Sequence, residues 1–277
     1  MSKEIRKRIL PSGWYPDKKE EILKIFSEWD KKEQKNNEIK AIIVPHAGWY
    51  YSGEIAFYAF SFLDKGIDTV VVAGGHLGEN DPPLAAKNRL FDATIGDIDN
   101  NIELLGYLSE EIKFHEDIYS DNTVEIQLPI VKYFLPESKI LWLRIPPNYN
   151  IVLKTAEAIH NYALENNKKV AVVGSVDLTH YGSNYGFQPH GEGRKGLKWV
   201  REVNDKEFID FVSSFKIAEA IEHGKCNFSS CSSGAAALAA QYAAISNAKG
   251  GRLITYKTSY EISPADSFVG YAGIIYE

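Results

Sequence analysis

The run Ile42-Ile43-Val44-Pro45-His46-Ala47-Gly48 constrains this chain more than any other segment. Its β-branched residues favour a buried, pleated strand. Pro45 has no amide hydrogen to donate to a ladder, so the strand stops there and His46 stands just past its end. The same grammar recurs in Val70-Val71-Val72-Ala73-Gly74-Gly75-His76. It recurs again in Val170-Ala171-Val172-Val173-Gly174-Ser175-Val176-Asp177-Leu178-Thr179-His180. In open α/β sheets, ligands gather beyond the carboxyl ends of strands. One strand-end histidine is explained by loop capping. Three strands that each deliver a titratable side chain to the same position point to a shared site.

The apolar spacing elsewhere predicts helices over 18–35, 54–63, 100–112, 124–134 (interrupted by Pro129), 152–166, 206–215, 217–223 and 233–246. It predicts further strands over 139–145, 252–260 and 267–276, with an irregular or β-like stretch over 78–99. Strands alternating with helices indicate an α/β sheet covered on both faces. No repeat, low-complexity segment or linker demands a boundary, so the expectation is a single domain over 1–277.

The bulk composition excludes several classes. A net charge of −6 argues against a nucleic-acid footprint, which is basic and clustered. No apolar stretch reaches the length of a membrane span, and the charged N-terminus is followed by no apolar core of signal-peptide length. Two cysteines, Cys226 and Cys231, make no disulfide framework, so a reducing, cytoplasmic setting is the expectation.

His46, His76, Asp177, His180 and Cys231 are the residues expected to converge. Cys231 directly precedes an alanine-rich helical segment, and the positive end of a helix dipole lowers a thiol pKa. A small buried residue that allows close helix packing would read the same way. Imidazole suits zinc, copper and iron, and two histidines with one anionic ligand and open positions form a pattern used by non-haem iron sites. The chain has no His-Glu-x-x-His and no Walker loop. Gly191-Glu192-Gly193-Arg194-Lys195-Gly196 follows no strand and reads as a solvated loop. A serine hydrolase would need a Gly-x-Ser-x-Gly elbow, which is missing. A Cys231–His–Asp hydrolase would leave two strand-end histidines unexplained.

Val44-Pro45-His46-Ala47-Gly48-Trp49-Tyr50-Tyr51-Ser52-Gly53 resembles the Pro-His-Ala-Gly-Tyr-x-Tyr-x-Gly signature of the Memo family, whose bacterial and archaeal members are also called AmmeMemoRadiSam system protein B. Gly13-Trp14-Tyr15-Pro16 is similar to that family's opening motif. Ser175-Val176-Asp177-Leu178-Thr179-His180-Tyr181-Gly182 resembles its Ser-Ser-Asp-(Phe/Leu)-(Ser/Thr)-His-Tyr-Gly segment. Cys231 with its small-residue helix, and Val269-Gly270-Tyr271-Ala272-Gly273 near the end, also match. The resemblance runs from near residue 11 to the C-terminus. Three departures stand out. Ala73-Gly74-Gly75-His76 replaces the usual Gly-Pro-(Ser/Asn)-His. In Asp121-Asn122-Thr123-Val124-Glu125-Ile126-Gln127-Leu128-Pro129, Asn122 stands where many members carry histidine. Ser232 follows Cys231 in place of glycine.

The Memo family shares its fold with class III extradiol dioxygenases, so the resemblance implies a three-layer α/β/α sandwich around a central mixed, mostly parallel sheet. It implies metal ligands at His46, His76 and Cys231, with His180 and Asp177 as the acid/base pair. Fe(II) is the first expectation, copper or zinc the next. Trp49, Tyr50, Tyr51 and Tyr181 are expected to wall an aromatic pocket, and Glu125 to contact substrate; plain core packing explains each aromatic separately. If the chain is an enzyme, the expected chemistry is oxygen-dependent, dioxygenase-like oxidation of a small substrate, aromatic ones included. A rival from another class is a peptide- or protein-binding scaffold that uses the same groove. A third is an accessory component of a radical-enzyme system, partnered by the other proteins of an AmmeMemoRadiSam system.

Overall fold

The computed structural model describes residues 5–30 and 38–277. At its centre four strands run parallel in the order Ala41–Val44, Val170–Ser175, Thr69–Gly74 and Lys139–Arg144. Each is apolar along almost its whole length, as strands covered on both faces must be. Antiparallel strands extend this block. Phe268–Tyr276 flanks Ala41–Val44 and carries Gly251–Thr258 and the short His180–Tyr181. Leu84–Ala85 flanks Lys139–Arg144 and leads to His115–Glu116. The result is a mixed nine-stranded sheet with a parallel centre. A separate three-stranded sheet joins Ile5–Arg6, Leu90–Asp92 and Asp97–Asp99.

Because side chains alternate along a strand, each central strand feeds two cores. Ala41, Ile43, Val71, Leu141 and Val172 face the helices Tyr149–Glu165, Asp205–Ser213, Ile217–Cys226 and Ser233–Ile245. Ile42, Val44, Val70, Trp142 and Val173 face Lys19–Trp29, Trp49–Phe60 and Leu128–Phe134. These are the three layers the resemblance implied. The alanine-rich helix lies so close to the sheet that a Cβ on Gly174 would sit 2.8 Å from the Ala235 carbonyl oxygen. Small residues on both surfaces permit this approach.

Several element bounds differ from the expectations. The first helix is described over Lys19–Trp29, and the end of its expected length, 31–35, lies outside the described residues. The next helix starts at Trp49, earlier than its apolar pattern suggests, because the Trp49 amide donates to the Trp14 carbonyl (2.8 Å) just after the Gly48 turn. Pro129 does divide its segment, into Asn122–Glu125 and Leu128–Phe134, and occupies the first turn of the second helix, where proline is tolerated. The expected loop at 191–196 is partly helical, over Gly193–Trp199. Burial of Leu197 and Val200 beside Tyr181 and Phe268 overrides the low helix propensity of its glycines.

Candidate metal centre

The parallel register sets the site. Val44 pairs with Ser175, and Ala73 with Gly174. His46, Asp177 and His76 each stand two positions beyond the last residue of their strands, Val44, Ser175 and Gly74. The three strand ends therefore present them along one edge of the sheet. His46 is fully buried. Its amide donates to Asp177 Oδ1 (2.7 Å), and its carbonyl accepts from Asn122 Nδ2 (2.9 Å). Gln127 Nε2 donates to the Pro45 carbonyl (2.8 Å) and to Ser175 Oγ (3.1 Å), which lies 3.3 Å from His46 Nδ1. His76 has a positive φ of 58°, a conformation that non-glycine residues hold only where their surroundings enforce it. Its Nδ1 lies 2.9 Å from Asp121 Oδ2.

Cys231 arrives from the far end of the chain, at the turn before the helix Ser233–Ile245. Its amide donates to the Asp177 carbonyl (3.1 Å), and its Sγ lies 3.2 Å from His46 Nε2. One donor atom from each of His46, His76 and Cys231 falls in a group whose members all lie within 4.8 Å of one another. With both Nδ1 atoms engaged, the Nε2 atoms remain for a ligand. Tetrahedral sites of imidazole and thiolate place donors at about 2.0–2.3 Å from the ion, so modest side-chain rotation closes this group around one metal. The donor set fits.

The electrostatics suit it too. Burial opposes ionisation of Cys231, but the His46 and His76 imidazoles outweigh it and pull the thiol well below its usual range. Burial opposes a charge on His76, yet hydrogen bonds to Asp121 and Cys231 push it up to about 10. His46 is raised as well, against burial, by the thiolate and Asp177. The same pairing favours the thiolate form that a metal ligand must adopt.

Behind His76 runs a buried ionic network missed in the sequence. Asp121 accepts from the Thr123 amide (2.9 Å) and hydroxyl, and pairs with Arg144 Nη2 (3.3 Å). Arg144 Nε donates to the Gly75 carbonyl (2.8 Å), and Arg144 also faces Asp117 (3.6 Å). The signal was present: Arg144 is the single charge at the end of the otherwise apolar run Ile140-Leu141-Trp142-Leu143. A cavity of about 340 Å³ opens onto His46, His76, Asp177 and His180. Tyr51, Tyr185 and Tyr271 also line it, and so does Asn122. His180 Nε2 is buried there without a hydrogen-bond partner among the described residues, and its ring lies 5.0 Å from that of Tyr185.

The structure places other expected site residues elsewhere. Asp177 does not hydrogen-bond His180 among the described residues; its carboxylate holds the His46 amide instead. Trp49 is buried against Tyr15, Phe26 and Trp29. Tyr50, next along the helix, points outward and is 71% exposed. Tyr181 is buried against Phe268, with its hydroxyl donating to the Gly191 carbonyl (2.7 Å). Glu125 accepts from the Ile9 and Leu10 amides (3.0 and 2.8 Å) and from the Tyr15 hydroxyl, tying the N-terminal segment to the body. Helical period and strand alternation direct these four side chains away from the cavity.

The profile of the family described as Memo-like protein matches residues 6–275. The chain belongs to the Memo-like family. Among its curated relatives, a MEMO1 family protein of Pyrococcus furiosus is 27% identical over 98% of both chains. One of Archaeoglobus fulgidus is 27% identical over 95% of this chain and 96% of its own. One of Methanosarcina mazei is 26% identical over 99% and 100%. This Memo-like chain therefore carries its His46–His76–Cys231 group within a match that spans nearly its whole length. No helix among the described residues is long and apolar enough to cross a membrane.

Proposed function

We propose that His46, His76 and Cys231 hold one metal ion, iron first and copper or zinc next, and that this Memo-like protein, when it holds a redox-active ion, is an oxygen-dependent, dioxygenase-like oxidoreductase of the cytoplasm. The observation that carries the reading is the convergence of three donors, two of which, His46 and His76, open onto the 340 Å³ cavity. His180 lies outside the group of mutually close donors, which supports open coordination positions over the closed four-ligand shell of a structural site. When bound, the ion would supply Lewis acidity and electron transfer toward oxygen and substrate.

The chain's own residues perform the rest. The small substrate sits among Tyr51, Tyr185 and Tyr271, whose rings orient a flat molecule and exclude water. His180 Nε2, without a hydrogen-bond partner among the described residues, gives or takes the proton there. Asp177 holds the His46 backbone and, through its carbonyl, the Cys231 amide, so one residue sets the spacing of two ligands. Asp121 fixes the His76 ring, as outer carboxylates do for metal-bound imidazoles.

Elemental analysis of untagged protein purified without oxygen tests this reading, since the thiolate is oxidisable. The expected result is about one iron or copper per chain, lost in Cys231→Ser, with nitric oxide or cyanide binding at an open position. A metal content indifferent to Cys231, or none, overturns it and leaves the scaffold reading, to be pursued through protein partners.

A further inference from the structure

A second cavity of about 420 Å³ adjoins the metal cavity and shares Trp14 and Tyr51 with it. Its aromatic lining is dense: Trp14, Trp29, Trp49, Tyr50 and Tyr51 all contribute. We propose that it binds an organic cation, an alkylated ammonium group above all.

The cavity's wall is built rather than incidental. The Trp49 amide donates to the Trp14 carbonyl (2.8 Å) and so staples the N-terminal turn to the helix start. Trp29 and Trp49 pack with ring centroids 5.6 Å apart, and Tyr50 meets Tyr51 edge-on at 5.0 Å. Burial explains Trp49 but not Tyr50, which folding leaves 71% exposed on the rim. Aromatic faces attract cations through their quadrupole, and quaternary ammonium ligands are recognised in this way.

Charge selects the same ligand class. Two carboxylates, Glu28 and Glu54, line the cavity against one ammonium, Lys257, whose Nζ lies 3.6 Å from Glu54 Oε2. Glu28 has no ion-pair partner among the described residues. Among the described lining residues, carboxylates outnumber ammonium groups two to one, which favours a cation over a phosphate or a carboxylate. Lys257 pairs with Glu54 and leaves the Glu28 carboxylate to face a bound cation.

The proposal stands apart from the metal chemistry, and the test keeps the two separable. Choline is titrated into metal-replete and EDTA-treated protein, followed by tryptophan fluorescence and calorimetry, with 3,3-dimethyl-1-butanol as its neutral isostere. Saturable choline binding is expected, about tenfold tighter than the isostere and unchanged by EDTA or by Cys231→Ser. Glu28→Gln and Tyr50→Ala should each weaken it, about two- to fivefold for an exposed contact. Lys257→Gln should tighten it, because a like charge in the lining is gone and Glu54 loses its partner. All three residues are on the surface and outside the metal machinery, so the variants fold. No saturable binding, equal binding of the isostere, or charge variants that shift affinity in the same direction would overturn the proposal.

Discussion

The Sγ of Cys231 lies 3.2 Å from the Nε2 of His46, although 185 positions separate them in the chain. The contact closes the sheet's carboxyl edge with the N-terminal end of its most buried helix. It joins the thiolate of one to the imidazole of the other, and Asp177 binds the backbone of both.

Asp121→Asn tests the network behind His76. The variant keeps the volume but loses the carboxylate that fixes the ring and faces Arg144. Loss of such an outer partner costs about 10–100-fold in metal affinity. Chelator competition should show that drop, and an affinity within twofold of wild type would remove Asp121 from the site.

Gly75→Ala probes how tightly His76 and Cys231 are held together. A Cβ there would fall 2.3 Å from Ser232 Oγ and 2.8 Å from its backbone Cα, so the two ligand loops must separate. Overpacking of this kind costs about 1–3 kcal/mol, and metal affinity should fall with it. Gly106→Ala meets nothing within 4 Å inside the helix Ile102–Ser109 and should stabilise by about 0.5–1 kcal/mol. Urea midpoints of the two variants should move in opposite directions.

Asp205 predicts a pH dependence. Burial raises its carboxyl to about 7 from an ordinary 3.8, partly offset by hydrogen bonds from Thr179 and Tyr256. Between roughly pH 4 and 7 the folded state keeps a proton that the unfolded chain has released, so stability falls as pH rises through this window. At about 1.4 kcal/mol per pH unit the upper bound is about 4 kcal/mol. In Asp205→Asn the loss of stability from pH 5 to pH 8 should shrink relative to wild type. An identical pH profile in the variant would contradict this.

Glu125→Gln separates structure from chemistry at a residue first expected to touch substrate. Its carboxylate serves the Ile9 and Leu10 amides and Tyr15, and replacing half of it with an amide donor leaves a buried group unsatisfied. A cost of about 1–3 kcal/mol follows. Thermal unfolding should show that cost while metal stoichiometry stays at the wild-type value; a selective loss of metal or turnover with unchanged stability would return Glu125 to the site.

The strand ends were legible because β-branched runs stopped by proline or glycine carry a short-range signal. His46, His76 and Asp177 followed from it, since parallel strands in register share a carboxyl edge. The helix at Gly193–Trp199 was not legible, because its stability comes from Leu197 and Val200 packing on residues far along the chain. Nor was the direction of the three consecutive aromatics. Trp49 enters the core, Tyr50 the rim and Tyr51 the cavity wall, as successive 100° steps of a helix require once its position is set.

Local residue order was enough to read the family resemblance, the alternation of strands and helices, and the strand-end positions of His46, His76 and Asp177; the choice of His46, His76 and Cys231 as donors came with the resemblance. Only the tertiary structure decided that Asp177 holds His46 and not His180, that Arg144 and Asp121 stand behind His76, and that Glu125 anchors the N-terminal segment. Those pairings join residues tens to more than a hundred positions apart. Directional hydrogen bonds of that range depend on how layers pack, and no periodicity along the chain encodes them.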